Sequence, residues 1–125
     1  MRAARGQSLA HRVILFLYGT LLDARVLARR SGEPGLARRL RPARLAGFAR
    51  VGLRGTPYPT LIARPGAVTE GALLRAPAAA RAHLACYEGP SYRLRPVRVT
   101  TARGPVWAQA WVAARWRAST ASWVG

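Results

Sequence analysis

Apolar side chains occupy every position from Val13 to Tyr18, and Gly19 ends the run. An unbroken stretch of strand formers predicts a strand buried on both faces, not an edge strand. The pattern then turns helical: Asp23 can cap a short helix reaching about Arg30, with Val26 and Leu27 facing inward. Residues 31–42 hold two prolines, two glycines and several arginines, and read as a loop with room for one helical turn. Residues 44–51 predict a strand, and 52–59, with Gly52, Gly55, Pro57 and Pro59, a loop. Two short strands follow at 60–64 and 68–75, separated by a Pro65-Gly66 turn.

Pro77 suits the first position of a helix over 78–87, which Gly89-Pro90 stops. Beyond it, Tyr92, Leu94, Val97 and Val99 share an inward face only if Pro96 introduces a one-residue offset, as at a bulge. The turn Arg103-Gly104-Pro105 leads into a last strand over 106–113, where Trp107 and Trp111 are expected on one packed face. Residues 114–125 read as a fraying tail from which Trp116 and Trp123 can pack back, and residues 1–12 as a flexible, Arg-rich leader. Several short strands with two helices predict a single α+β domain over 13–113, a small mixed barrel or strongly curled sheet.

Composition changes the picture in one respect. Against four acids stand 21 basic residues, a formal net charge of +17, which suggests a polyanionic partner. All of the basic residues are arginine, and lysine and asparagine are absent, as GC-rich codons would produce; codon bias does not explain the scarcity of Asp and Glu. The arginines are spread along the chain, so a basic nucleic-acid-binding module stays a secondary reading, with Trp107, Trp111, Trp116 and Trp123 as its stacking candidates. The lone Cys86 excludes an internal disulfide and is expected as a small core residue; no Cys/His set has zinc-ligand spacing. A reducing, cytoplasmic setting fits that count. Arg2, Arg5 and Arg12 before the apolar run imitate a signal peptide, but Gly19-Thr20 interrupts it and no small-x-small cleavage site follows. No stretch approaches the roughly 20 apolar residues that span a bilayer, so no membrane partner is expected.

With four acids, each can be weighed. Asp23 is a helix cap, Glu33 lies in a Pro/Gly loop, and Glu70 can pair with an arginine from its strand. Glu88 differs. It falls where a helix ends, next to Tyr87 and before Gly89-Pro90-Ser91-Tyr92. The negative end of the helix dipole disfavours its charge by about 0.3–1 kcal/mol. Flanking aromatic rings would desolvate it, and both effects raise its pKa toward the range of a general base, while nearby arginines act in the opposite direction. The second candidate is Tyr18-Gly19-Thr20-Leu21, where a buried strand stops at a glycine and can present backbone N–H groups to a carboxylate or oxyanion. His11, His83 and Ser91 lack any catalytic context.

Taken together, these segments resemble the gamma-glutamylcyclotransferase-like family. Leu15-Phe16-Leu17-Tyr18-Gly19-Thr20-Leu21-Leu22-Asp23 is similar to its first strand and YGTL-type turn. Gly47-Phe48 with Tyr58-Pro59-Thr60-Leu61, then Val68-Thr69-Glu70-Gly71-Ala72-Leu73, look like its middle blocks. Tyr87-Glu88-Gly89-Pro90-Ser91-Tyr92-Arg93 resembles the block that holds the family's glutamate, and all four blocks fall in order over 13–113. The resemblance implies a barrel with a cavity between turn and glutamate, and a chemistry without metal or cofactor. In it the α-amine of a γ-glutamyl compound closes onto its side-chain carbonyl, forming 5-oxoproline and releasing an amine. Carried over, Glu88 is the acid/base, the Tyr18-Gly19-Thr20-Leu21 turn holds the substrate through backbone N–H groups from Gly19 to Leu21, and Tyr92 lines the pocket. One departure stands out: family members often carry Asp three residues before the glutamate, where this chain has Ala85. A family-like scaffold without catalysis is the alternative. The oligomeric state is not legible.

Overall fold

In the computed structural model, which describes residues 13–123, the apolar run after Val13 forms β1 (Ile14–Leu17). The proposed leader over 1–12 lies outside the described residues. There follow α1 (Ala24–Ser31), β2 (Arg41–Leu53), β3 (Pro59–Arg75), α2 (Ala78–Glu88), β4 (Tyr92–Thr101), β5 (Gly104–Ala113) and β6 (Ala118–Ser122), with 3₁₀ turns at Thr20–Leu22, Leu36–Arg39 and Arg115–Arg117. The strands run in the order β3-β1-β5-β4-β2, and β2 pairs again with β3, closing a five-stranded mixed barrel; β6 adds to β2 outside it. β1 and β5 are parallel, and the other pairings among the described residues are antiparallel. The fold is α+β, with two helices on one side of the barrel.

Closure explains why β1 is apolar throughout. Phe16 points into the barrel with Leu45, Leu61, Val99 and Ala110, while Leu15 and Leu17 point outward to Leu27 of α1 and Leu84 of α2. Alternate side chains therefore enter two different cores. Each fully buried Leu or Phe contributes about 1.5–3 kcal/mol, so a polar substitution on either face of β1 would be costly. Helix α1 starts where expected. The Asp23 carboxylate accepts from the N–H groups of Arg25 (2.8 Å) and Val26 (3.2 Å), a cap worth about 1 kcal/mol.

Several expectations need correction. The two strands expected at 60–64 and 68–75 are one long strand. The register with β2 passes from Ala46↔Val68 to Phe48↔Ala63, so residues 64–67, with Pro65 and Gly66, are an excursion opposite Gly47. No offset occurs at Pro96: the β4–β5 ladder is unbroken from Tyr92↔Ala113 to Thr101↔Gly104. β4 meets β2 only at Arg44↔Thr100, so at Pro96 its other edge has no strand to bond. With that alternation intact, Val97 and Val99 face in and Leu94 is left 43% exposed. Trp111 is buried under the helices, but Trp107, roughly 13 Å along the same strand, lies beyond their cover and is 61% exposed. Cys86 is exposed, because Ala80 and Leu84 carry the buried face of α2. Within the expected tail, β6 pairs with β2, and the Trp123 indole N–H donates to Pro57 O at 2.8 Å.

Candidate functional site at one mouth of the barrel

Glu88 is the last residue of α2, which Gly89 ends with φ +78° and an N–H bonded to Ala85 O. Closure of the barrel brings this helix end over the C-terminal end of β1. Glu88 and Tyr92 line a cavity of about 30 Å³ together with Tyr18, Gly19 and Leu21 of the turn, and with Pro59 and Trp111. A second cavity, about 80 Å³, adjoins it and is walled by Thr20, Tyr58, Tyr87, Glu88 and Tyr92. All six residues singled out in the sequence thus face one or both cavities. Burial raises the Glu88 carboxyl to about 7, and none of the described arginines offsets it.

The surrounding hydrogen bonds fix the walls. Tyr92 O–H donates to Pro59 O at 2.6 Å, and Tyr18 O–H donates to Trp111 O. Burial, and then the neighbouring Tyr92 and Glu88, hold the Tyr18 phenol above the ordinary tyrosine range; burial and then Glu88 do the same for Tyr92. Both phenols therefore keep their protons and commit them to backbone carbonyls, leaving their oxygens as acceptors. Thr20 Oγ1 lies 2.9 Å from the Tyr87 hydroxyl, which ties the 3₁₀ turn to the residue beside Glu88. At the start of that turn Leu22 and Asp23 donate to Gly19 O and Thr20 O. The N–H groups of Thr20 and Leu21 precede them and have no intrahelical acceptor.

Some parts of the site carried no readable signal. Arg50 donates from Nη1 to Tyr18 O at 2.8 Å and stacks on Trp123, 5.6 Å from the ring centroid, so β2 and the chain beyond β6 brace the carbonyl that precedes Gly19. Among 21 arginines nothing distinguishes it in advance. Pro59 packs so closely that a Cβ on Gly19 would lie 2.7 Å from Pro59 Cγ. Tyr87 meets the Tyr58 ring edge-on, with centroids 6.4 Å apart, and lies under the Arg30 guanidinium at 4.8 Å. Ala85, where the family pattern often has Asp, faces solvent.

Replacing Tyr92 with Phe leaves Pro59 O without its donor while keeping the ring. The expected cost is about 1–2 kcal/mol, read by denaturant unfolding. Wild-type stability in that variant would show that water replaces the hydroxyl.

The closed mixed barrel with its two helices is a fold seen in other proteins. An Arabidopsis thaliana protein solved in solution shares 25% identity over 81% of this chain and 61% of its own, with a TM-score of 0.66. The chain thus spans less than two thirds of that relative. A gamma-glutamyl cyclotransferase aligns at 17% identity with a TM-score of 0.69, covering 86% of this chain and 68% of its own. A yeast γ-glutamyl cyclotransferase specific to glutathione aligns at 18% and 0.60, covering 81% and 68%. At such low identities the latter two establish the fold alone. No curated protein sequence matches significantly. The family is set by its sequence model: gamma-glutamyl cyclotransferase, AIG2-like, matches residues 15–124, and the chain belongs to that family. No helix among the described residues is long and apolar enough to cross a membrane.

Proposed function

We propose that this chain cyclises a γ-glutamyl amine or amino acid to 5-oxoproline and releases the amine. The observation that carries the reading is the desolvated Glu88 carboxyl, raised to about 7, facing the same cavity as the Tyr18-Gly19 turn. A group with that pKa takes a proton from a substrate α-ammonium and returns it to the leaving amine, both near neutrality. The freed α-amine attacks the γ-carbonyl, the C–N bond of the ring forms, and the bond to the leaving amine breaks. Because the attack is intramolecular, holding the substrate folded supplies much of the rate. The N–H groups of Thr20 and Leu21 suit the substrate carboxylate or the developing oxyanion. The phenol oxygens of Tyr18 and Tyr92 suit the ammonium.

A screen of γ-glutamyl compounds for 5-oxoproline release tests the proposal. The pH dependence is specific. Glu88 works as a base only when ionised, so kcat/KM should fall about tenfold per pH unit below about 7. A flat profile down to pH 5 on an active substrate would remove Glu88 from the base role. A non-catalytic scaffold draws support from the small cavity, about 30 Å³, and predicts no release from any compound in the screen.

A further inference from the structure

The barrel has a second mouth, opposite the one that Glu88 occupies, where β1 begins and β3 and β4 end. There a groove of about 650 Å³ is rimmed by Arg38, Arg39, Arg41, Arg75 and Arg103. Its apolar floor is Ile14, Leu73 and Val106, and among the described residues no carboxylate lines it. A depression that shares Thr101 and Ala102 with the groove contains Glu70, but that acid is bound to Arg44 at 2.9 Å. Arg41 Nη1 donates to Arg38 O (3.1 Å) and Leu40 O (3.0 Å), so backbone carbonyls, not an acid, set its position. Five exposed arginines around one groove without a counter-charge give it a positive potential that attracts anions.

An adjoining hollow of about 300 Å³ shares Ile14 with the groove and is walled by the exposed Trp107. The guanidinium of Arg98 sits 5.7 Å from the centroid of that ring. A large aromatic face left in water beside a cationic track is the combination that takes a base and its phosphates together.

We propose that this mouth binds single-stranded nucleic acid, its phosphates following the five arginines and a base stacking on Trp107. A strand fits better than an acidic peptide, because carboxylates would satisfy the arginines but leave Trp107 without a flat partner. It fits better than a nucleoside monophosphate because the cations outnumber the charges of one phosphate. The site is separate from Glu88, and it stands whether or not the chain is a cyclotransferase.

The test is anisotropy of a short labelled oligo(dT) titrated with the full chain at several salt concentrations. If the five arginines each meet a phosphate, log K should fall against log salt with a slope of about −3.5 or steeper. Arg75→Ala with Arg103→Ala should weaken binding and make the slope shallower by about 1.4. The equal-charge change Arg25→Ala with Arg29→Ala, on the exposed face of α1, should leave the slope as it was. Trp107→Ala should weaken binding about tenfold with the slope unchanged, and Trp107→Phe should restore most of it. All these positions are exposed, and thermal unfolding checks that each variant folds. The proposal is overturned if the α1 pair matters as much as the groove pair, or if Trp107→Ala has no effect. It is equally overturned if poly-glutamate or thymidine monophosphate competes as well as the unlabelled strand. Glu88→Gln should bind the strand like wild type, so loss of the cyclotransferase reading leaves this one testable.

Discussion

Glu88→Gln is expected to lower 5-oxoproline release by about 10²–10⁴-fold while leaving the protein folded and, above neutral pH, more stable than wild type. The two halves of this result have one cause. The carboxyl titrates near 4.5 when solvated and is raised to about 7 by burial at the end of α2. Between those pH values the unfolded chain has released its proton and the folded chain still holds it, so stability falls as pH rises through the window. Above about 7 the folded protein bears the full cost of a desolvated charge. Glutamine carries no charge and avoids it. The variant should therefore be the more stable by about 1–3 kcal/mol at pH 8, toward the low end because some water reaches the carboxylate, and close to wild type below pH 4.5. Melting curves at the two pH values, beside an end-point assay for 5-oxoproline, give both readings. Full activity in the variant would end the catalytic assignment. Loss of activity with lower stability at pH 8 would mean that Glu88 is held by partners that compensate its burial.

The alternation of side chains made much of this fold readable, and its failures are physical. The run into Tyr18 could be identified as a doubly buried strand because every position is apolar, and the barrel supplies two cores for it to face. Asp23, Pro77 and Gly89 marked helix ends because capping is a local interaction. Pairing is not local. Pro65-Gly66 reads as a turn between strands, yet β2 runs alongside both halves of β3 and makes one strand of them. The same holds for the end of the chain. Ala118–Ser122 has little that is apolar to recommend it as a strand, and it is ordered by the edge that β2 offers. At the site, Glu88 and the Tyr18-Gly19 turn could be picked out because acids are scarce and a strand ending in glycine is conspicuous. That they share a cavity followed from the family resemblance and not from the residues. Arg50, Pro59 and Trp111 reach the site from three different strands, and no spacing along the chain connects them.

Gly71→Ala should be the most damaging single-methyl change in the barrel. A Cβ at this position would lie 2.3 Å from Leu17 O and 2.8 Å from two ring atoms of Phe16. The conflict is with backbone on one side and a fully buried ring on the other, so no flexible side chain can yield. β1 and β3 are paired here, Leu17 with Ala72, and the strands would have to separate. Overpacking of this kind costs about 3 kcal/mol, enough to lower Tm by roughly 10 °C in a domain of this size. Function should suffer beyond the loss of fold. Leu17 O belongs to the peptide that leads into Tyr18 and the turn proposed to hold the substrate, so the surviving folded protein should show a raised KM at temperatures well below its Tm. Gly35→Ala is the comparison, since φ there is −91° and no atom lies within 4 Å of an added Cβ. With a more restricted unfolded chain and no clash, it should be neutral or slightly stabilising. Equal melting temperatures for the two variants would mean that β1 and β3 are not in contact at Gly71, and the turn at Tyr18 would lose the support that holds it opposite Glu88.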